Sequence, residues 1–189
     1  VSPETGPALL LEGPMPPVTI LNLSADSSSP VMAAIPPANI GLMAPRINEL
    51  MPNPEGTGSE STDEFIELYN PNPVSFDLSN SSLQSGTTSL RKYIFPAGTM
   101  LPAGSFTAFY SEATGLSLSN TRSQVKLLDP LGNSISAVQE YASAKDGQAW
   151  ALANGKWYWT TSATPNAANV IKQPVSAKKS AAASKKSKS

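Results

Sequence analysis

The sequence contains no cysteine and no histidine among its 189 residues. Without cysteine the chain can build no disulfide, no thiolate zinc site and no cysteine nucleophile. Without histidine it lacks the usual general base, the usual zinc or copper ligand and the histidine of a nucleophilic triad. An enzyme made from this sequence would have to work with carboxylates, lysine, tyrosine and serine.

Charged residues and long apolar runs are also scarce. Only 14% of the residues are charged, and the longest apolar run near the start of the chain is "ALLL", residues 8–11. A run of four residues is far too short for the core of a signal peptide or for a membrane span. The sequence therefore predicts no transmembrane segment in this chain.

Proline is abundant, with 18 residues, and it dominates the first part of the chain. Residues 1–45 carry "GPMPP", "DSSSP" and "IPPANIGLMAP". Each proline fixes its own backbone angle and biases the preceding residue toward extended structure. Residues 1–45 are predicted to be a linker or stalk, in which "PVTILNLS" (residues 17–24) is a candidate edge strand.

Lysine is concentrated at the other end of the chain. Of the 13 basic residues, five lie in "AKKSAAASKKSKS", which leaves eight basic residues against 14 acidic ones in the rest. Residues 171–189 offer too little apolar surface to offset the entropy of ordering, so we predict a disordered tail. Its lysines would bind nucleic acid or another anionic polymer only weakly and in a salt-sensitive way; a plain spacer is the alternative.

Residues 46–170 show short apolar runs separated by turn-forming residues every eight to twelve positions, a pattern typical of an all-β sandwich or barrel. The run "QVKLLDPLGNSISAVQEY" predicts a hairpin that turns after Asp129. No segment has a sustained apolar stripe with a period of 3.6 residues, so helix should be scarce. The candidate strands are "RINELM", "EFIELYN", "SLQS", "KYIFP", "SFTAFY", "QVKLLD", "SISAVQEY", "GQAWALA" and "KWYWT".

Glu67 lies in the middle of the alternating run "DEFIELYNPNP", residues 63–73. A side-chain period of two places Ile66 and Leu68 on the core face and Glu67 on the other face, between two aromatic residues. Burying an unpaired carboxylate is very costly. The alternation therefore predicts that Glu67 lies on a half-exposed face.

Five pieces of the sequence, taken in order, resemble the lamin tail domain family over about residues 44–170. They are "INELMPNPEG", "DEFIELYNPNPVSFDLSNSSLQ", "YIFPAGTMLPAGSF", "GLSLSNTRSQVKLLDPLGNSI" and "GQAWALANGKWYWTTSATPNAAN". The resemblance implies an immunoglobulin-like β-sandwich of eight or nine short strands, found in nuclear lamins and in exported bacterial proteins. No heptad-bearing rod precedes the domain, and the proline-rich and lysine-rich flanks fit the bacterial branch.

The resemblance also implies which positions define the fold. They are Glu67, Asn70, Pro71, Asp77, Leu78, Thr164, Pro165, Ala168 and Asn169. It gives Glu67 a structural role, with backbone N–H groups or a hydroxyl near the Asn-Pro turn as its expected partners. Asn166 stands where the family usually has glycine. Asparagine is the next best residue at positive φ, so the turn is expected to survive.

Acidic residues cluster between the first two predicted strands, and Glu60, Asp63 and Glu64 are the candidate ligands of a calcium ion. Calcium takes six to eight oxygen ligands, which such a loop could supply. The regular spacing of acids in a calcium-binding loop is absent, so a solvated acidic loop is the alternative. No other cofactor is predicted.

Tryptophan supplies the other candidate site. In "KWYWT" the alternation puts Trp157 and Trp159 on one face of a strand and Tyr158 on the other. Exposed tryptophans would stack on sugar rings or pack against a partner. The alternative is that at least one of them caps the open end of the core.

The resemblance, together with these patterns, implies a non-enzymatic structural or interaction module of an exported bacterial cell-surface or secreted protein, and hence an extracellular location. Its task would be adhesion or protein interaction, with a protein or a surface polymer as partner. Pairing Glu67 with Asp77 or Glu64 for glycoside hydrolysis would need a cleft, for which the chain has little loop material. The alternatives are a targeting domain of a secreted enzyme, such as a nuclease, whose catalytic part is absent, and a carbohydrate-binding module. The sequence specifies neither the ligand nor the oligomeric state.

Overall fold

The computed structural model describes residues 39–56 and 60–173. The predicted edge strand over residues 17–24 and residues 174–189 of the predicted tail lie outside the described residues. The described part folds into eleven strands and two four-residue helices. They are β1 (Arg46–Asn53), α1 (Glu60–Asp63), β2 (Phe65–Tyr69), β3 (Phe76–Asp77), β4 (Ser82–Ser85), β5 (Arg91–Ile94), β6 (Met100–Leu101), β7 (Phe106–Tyr110), α2 (Ser111–Thr114), β8 (Arg122–Leu128), β9 (Gln139–Ala142), β10 (Gln148–Ala153) and β11 (Lys156–Thr160).

The strands form two main antiparallel sheets. One has five strands in the order β11-β10-β1-β2-β7, the other has four in the order β5-β4-β8-β9, and β3 pairs separately with β6. The predicted all-β, immunoglobulin-like sandwich is thus confirmed. All nine predicted strands are present, and the two-residue strands β3 and β6 were not predicted.

The core lies between the two sheets and is built from alternate residues of their strands. Ile66 and Leu68 of β2 face Leu83 of β4 and Leu127 of β8 within one cluster of buried side chains. Each such side chain contributes roughly 1.5–3 kcal/mol by leaving water. The inward orientation predicted for Ile66 and Leu68 is therefore confirmed.

Aromatic contacts join the two sheets at both of their open sides. On one side Tyr141 of β9 meets Trp159 of β11 edge-on, with ring centroids 5.9 Å apart. On the other side Phe95, which follows β5, meets Phe109 of β7 at 5.0 Å. Strands β9 and β11 therefore border one side of the sandwich, and β5 and β7 border the other.

The predicted hairpin is confirmed by the antiparallel pairing of β8 with β9. Its turn begins at Asp129, whose carboxylate accepts the backbone N–H of Asn133 at 2.8 Å. Gly132 supplies the positive φ of 87° that the turn requires. Residues 134–138 then form a loop before β9 begins, so the two strands are not joined by a tight two-residue turn.

Candidate interaction site and buried carboxylates

Two glutamates lie opposite each other on β1 and β2, on the face of the five-stranded sheet that points away from the core. Glu49 is the register partner of Glu67, and both residues are 0% exposed. The prediction that Glu67 is half-exposed was wrong. Residues 161–173, which follow β11 and are here named the covering segment, fold back over this face and cover both carboxylates. The alternation along β2 gives no sign of this cover.

Hydrogen bonds from that covering segment and from Asn48 of β1 satisfy the two carboxylates. Glu67 accepts the side-chain amide of Asn48 at 2.7 Å and the backbone N–H of Asn166 at 2.5 Å. Glu49 accepts the backbone N–H of Thr164 at 3.0 Å and its hydroxyl at 3.1 Å. The partners of Glu67 therefore include a backbone N–H, as expected, but it belongs to the "TPNAAN" turn and not to the Asn-Pro turn.

Burial changes the acidity of both groups. Removal from water raises the pKa of Glu49 to about 7; the negative charge of Glu67 adds to this, and the hydrogen bonds from Thr164 oppose it. Burial also raises the pKa of Glu67, against hydrogen bonds from Asn48, Asn166 and Ala167. Two enclosed carboxylates whose oxygens accept bonds from one loop are suited to holding that loop in place.

Asn169 fixes the end of the same loop. Its side-chain amide donates to the backbone carbonyl oxygens of Asn48 at 2.9 Å and Leu152 at 2.8 Å. Its side-chain oxygen accepts the amide of Asn48 and the hydroxyl of Thr164. This one side chain thus ties the covering segment to both β1 and β10, as a fold-defining residue would.

Asn166 has the backbone conformation that the sequence predicted for it. Its φ is 63°, in the left-handed region that asparagine tolerates. Its side-chain oxygen also accepts the backbone N–H of Ala108 at 2.9 Å, on the edge strand β7. Asparagine therefore provides a contact that the glycine usual in the family does not have.

We expect Asn166→Gly to lower the free energy of unfolding by about 1 kcal/mol, because glycine keeps the positive φ but loses the bond to Ala108. Asn166→Ala should cost about 1 kcal/mol more, because alanine is strained at this φ. Urea denaturation of both variants measures the two values. Asn154→Gly, at a φ of 51° in an exposed turn, is the matched control. Equal stability of Asn166→Gly and the parent chain would contradict the contribution of the side-chain bond.

Asn70 and Asp77 stabilise the loops at one end of the sandwich. Asn70 is fully buried, and its amide group lies 2.9–3.0 Å from the carbonyl oxygens of Val74, Leu101 and Pro102. The carboxylate of Asp77 accepts the backbone N–H of Ser79 at 2.8 Å. Asp77 bonds within its own turn, whereas Asn70 joins its own loop to the backbone of Leu101 and Pro102 at the end of β6. Both roles are structural, which is the type of role that the resemblance implies.

The structure describes the side chains of two of the three candidate calcium ligands, Asp63 and Glu64. Asp63 is exposed at the end of α1, whereas Glu64 is buried and its carboxylate accepts the backbone N–H of Leu118 at 3.0 Å. The side chain of Glu60 is outside the described part. Within residues 39–56 and 60–173, no group of three or more acidic, histidine or cysteine residues is placed to hold a metal. Calcium binding stays a prediction.

The three tryptophans form one cluster on the inner face of β10 and β11. The ring of Trp150 stacks against Trp157 with centroids 6.1 Å apart and lies 5.0 Å from the centroid of Trp159. All three are half-buried and pack against the main core. Trp159 reaches Tyr141 and closes the side of the sandwich, as the capping alternative predicts for at least one tryptophan.

Trp157 differs from Trp159 because it lines an open cleft of about 310 Å³, here named the aromatic cleft. The cleft lies between the start of β1, the β10–β11 hairpin and the loop before β9. Its other walls include Ile47, Leu152, Ile135 and, on the polar side, Arg46, Ser136 and Gln139. Sequence reasoning identified Trp157 but missed Arg46 and Ile135, since they come from distant parts of the chain.

Comparison with known proteins identifies one family. The sequence model of the lamin tail domain family matches residues 44–142, a little over half of the chain. A search of the curated proteins found no match. In the described part of the chain no helix is long and apolar enough to cross a membrane. Together with the immunoglobulin-like sandwich described above, the match shows that this chain belongs to the lamin tail domain family, a family of non-catalytic structural and interaction domains.

Proposed function

We propose that this domain is a non-enzymatic interaction module of an exported bacterial cell-surface or secreted protein, and that it binds a protein partner through the aromatic cleft. The observation that carries the proposal is the position of Trp157 in the wall of an open cleft of about 310 Å³. That volume lies at the lower end of the range of small-ligand pockets and suits one or two side chains of a partner.

The walls of the cleft favour a protein ligand over a sugar. Ile135 and Leu152 are apolar and half-buried, and together with Trp157 they can bury an apolar side chain. A sugar needs several hydrogen-bonding side chains beside the stacking ring, and two of the three polar side chains of the cleft already bond within the protein. The hydroxyl of Ser136 accepts the N–H of Ile47 at 3.3 Å, and the amide of Gln139 donates to the carbonyl oxygen of Glu140 at 3.1 Å. A buried aromatic anchor is the usual centre of a protein interface.

An exported location and an adhesive task are supported by the family and by the flanking sequences. The proline-rich residues 1–45 have the composition of a stalk, and the tail lysines could attach weakly to an acidic polymer. Brief protease treatment of intact cells that express the chain, compared with lysed cells, tests the location. Cleavage in intact cells supports export, whereas cleavage only after lysis contradicts it.

Replacing Trp157 with alanine is expected to weaken binding to cleft ligands at least tenfold, because the variant loses the largest apolar contact in the cleft. The measurement is a comparison of the parent chain and Trp157→Ala on a displayed peptide library and on a glycan array. Tyr158→Ala is the matched control, since Tyr158 is the adjacent aromatic residue on the opposite face of β11.

Peptides that bind the parent chain and Tyr158→Ala but not Trp157→Ala would support the proposal. Glycans with that same pattern would show a carbohydrate-binding module instead. Ligands that bind all three proteins equally would show that the cleft is not the binding site.

A further inference from the structure

Strand β5 is the outermost strand of the four-stranded sheet, on the side of the sandwich opposite to the aromatic cleft. It pairs with β4, and in the described part of the chain no strand lies on its other side. An open strand edge presents unpaired backbone groups to any extended chain that approaches it. The orientation of those groups and the side chains around them decide what can dock there.

The direction of the backbone groups of β5 follows from Phe95, the residue just after the strand. Its N–H donates to the carbonyl oxygen of Ser81 at 2.9 Å, and its own carbonyl oxygen accepts the N–H of Asn80 at 3.0 Å. Phe95 therefore directs its backbone groups toward β4. Because this direction alternates along an antiparallel strand, the N–H and carbonyl groups of Ile94 and Lys92 point outward, away from the sheet.

Exposed apolar side chains accompany this open edge. Leu90 is 58% exposed and Ile94 is 57% exposed, at the two ends of the strand. Natural proteins usually protect a strand edge by covering it or by placing charged residues on it. Here the charges of Arg91 and Lys92 are all of one sign, so they repel a basic chain and attract an acidic one.

The rest of the four-stranded sheet has the same sign of charge. Its four strands carry four basic residues and the single acid Glu140, which pairs with Arg122 at 2.6 Å. Lys92 and Lys126 lie on either side of Gln84 in one row across three strands, on the outer face. An acidic ligand along β5 would therefore meet lysines on both its edge and its flank.

We propose that an extended, acidic segment of a partner protein adds to this sheet as a fifth strand beside β5, with its carboxylates near Lys92 and Lys126 and its apolar side chains against Leu90 and Ile94. This surface rests on the proposed function as an interaction module but is separate from the aromatic cleft. A second copy of the chain is a poor occupant, because antiparallel pairing of two β5 strands would bring their basic residues together.

The test uses the full chain and a synthetic ten-residue peptide of alternating glutamate and valine. A peptide with lysine in place of glutamate serves as the charge control. Fluorescence anisotropy at moderate salt measures affinity, and amide NMR spectra locate the contact. We expect the acidic peptide to shift the amide signals of Lys92 and Ile94 and the basic peptide to bind at least tenfold more weakly.

Two variants of β5 and one control make the assignment specific. Lys92→Glu should weaken binding of the acidic peptide at least tenfold, because it reverses the charge beside the peptide. Ile94→Pro should weaken binding by as much, because it removes an outward N–H without breaking a bond to β4. Lys156→Glu, an exposed lysine on β11 in the other sheet, should change affinity less than twofold. Equal losses in Lys92→Glu and Lys156→Glu would show general charge attraction and overturn the proposal.

Two other outcomes would also overturn it. Amide shifts confined to the tail lysines would assign the peptide to the tail. A dimer of the parent chain in sedimentation, absent in Ile94→Pro, would make a second copy the occupant. Trp157→Ala should leave peptide binding at β5 unchanged. If the acidic peptide does not bind at β5 but another ligand binds the parent chain and not Trp157→Ala, the proposal for β5 is wrong and the proposed function stands.

Discussion

Replacing Asn70 with alanine is expected to lower the free energy of unfolding by about 3 kcal/mol, because one buried side chain serves several backbone groups. Its amide lies within hydrogen-bonding distance of three carbonyl oxygens, and its oxygen accepts both the backbone N–H and the side-chain amide of Asn72. Alanine would leave these groups without that partner inside the protein. Each buried polar group that loses its partner costs about 1–3 kcal/mol.

Urea denaturation monitored by tryptophan fluorescence measures this loss for Asn70→Ala. Asn154→Gly removes an exposed asparagine at a positive φ that glycine also adopts, and should change stability by less than about 1 kcal/mol. Asn70→Asp is a second variant that keeps the acceptor and removes the donor. A loss of less than about 1 kcal/mol in Asn70→Ala would show that water replaces the side chain at no great cost.

The strands were predictable because each depends on local alternation. In β2 the period of two alone places Ile66 and Leu68 in the core. Strands β3 and β6 have two residues each, and two residues cannot establish a period. Their existence depends on pairing with each other across the 22 residues from 78 to 99, which no local pattern records.

The burial of Glu67 could not be read from its own strand. Its covering partner Asn166 is 99 positions away in sequence, and Thr164 lies 115 positions from Glu49. Only the family resemblance linked "EFIEL" with "TPNAAN" and gave both a structural role. The aromatic cleft was predictable in part for the same reason: Trp157 follows from alternation, whereas Arg46 and Ile135 meet it only through the tertiary fold.

The covering segment also explains why the five-stranded sheet needs more sequence than the family match covers. The match ends at residue 142, before β10 and β11 begin. Residues 161–173 then hydrogen-bond to both ends of this sheet, from Ala108 on β7 to Thr160 on β11. Two residues of the predicted tail bond to β11. The backbone N–H of Lys172 donates to the hydroxyl of Thr160, and the side-chain amide of Gln173 donates to the carbonyl oxygen of Trp159. We therefore expect truncation after residue 160 to expose Glu49 and Glu67.

Stability is expected to fall by up to about 3 kcal/mol as the pH rises from 4.5 to 7, which is opposite to the usual effect of a native carboxylate. Burial raises the pKa of Glu49 from 4.5 to about 7, so the folded protein holds this proton more tightly than the unfolded chain. The resulting stabilisation is complete below pH 4.5, is lost as the pH rises toward 7, and changes little above that. Glu67, whose pKa is also raised, acts in the same direction.

The other groups that have a shifted pKa in residues 39–56 and 60–173, Asp129 and two tyrosines, do not titrate between pH 5 and 8. The chain has no histidine. The pKa of Asp129 is lowered: burial alone would raise it, but hydrogen bonds from Asn133 and nearby backbone groups outweigh that effect. Burial raises the pKa of Tyr110 above its ordinary value of 10, and the negative charges of Asp63, Glu67 and Glu49 add to this. The slope between pH 5 and 8 should therefore come from the paired glutamates.

Urea denaturation at pH 5, 6, 7 and 8 measures how the free energy of unfolding changes with pH. Glu49→Gln should make this change smaller. Glutamine resembles the protonated acid and keeps an oxygen to accept the N–H of Thr164. Glu112→Gln, at an exposed glutamate on α2, is the matched control and should retain the parent slope. Stability that rises from pH 5 to pH 8 would contradict the raised pKa of Glu49. An unchanged slope in Glu49→Gln would place the titrating proton elsewhere. If the pH dependence of stability is lost in Glu49→Gln and kept in Glu112→Gln, the pair of Glu49 and Glu67 stabilises the covering segment most at mildly acidic pH.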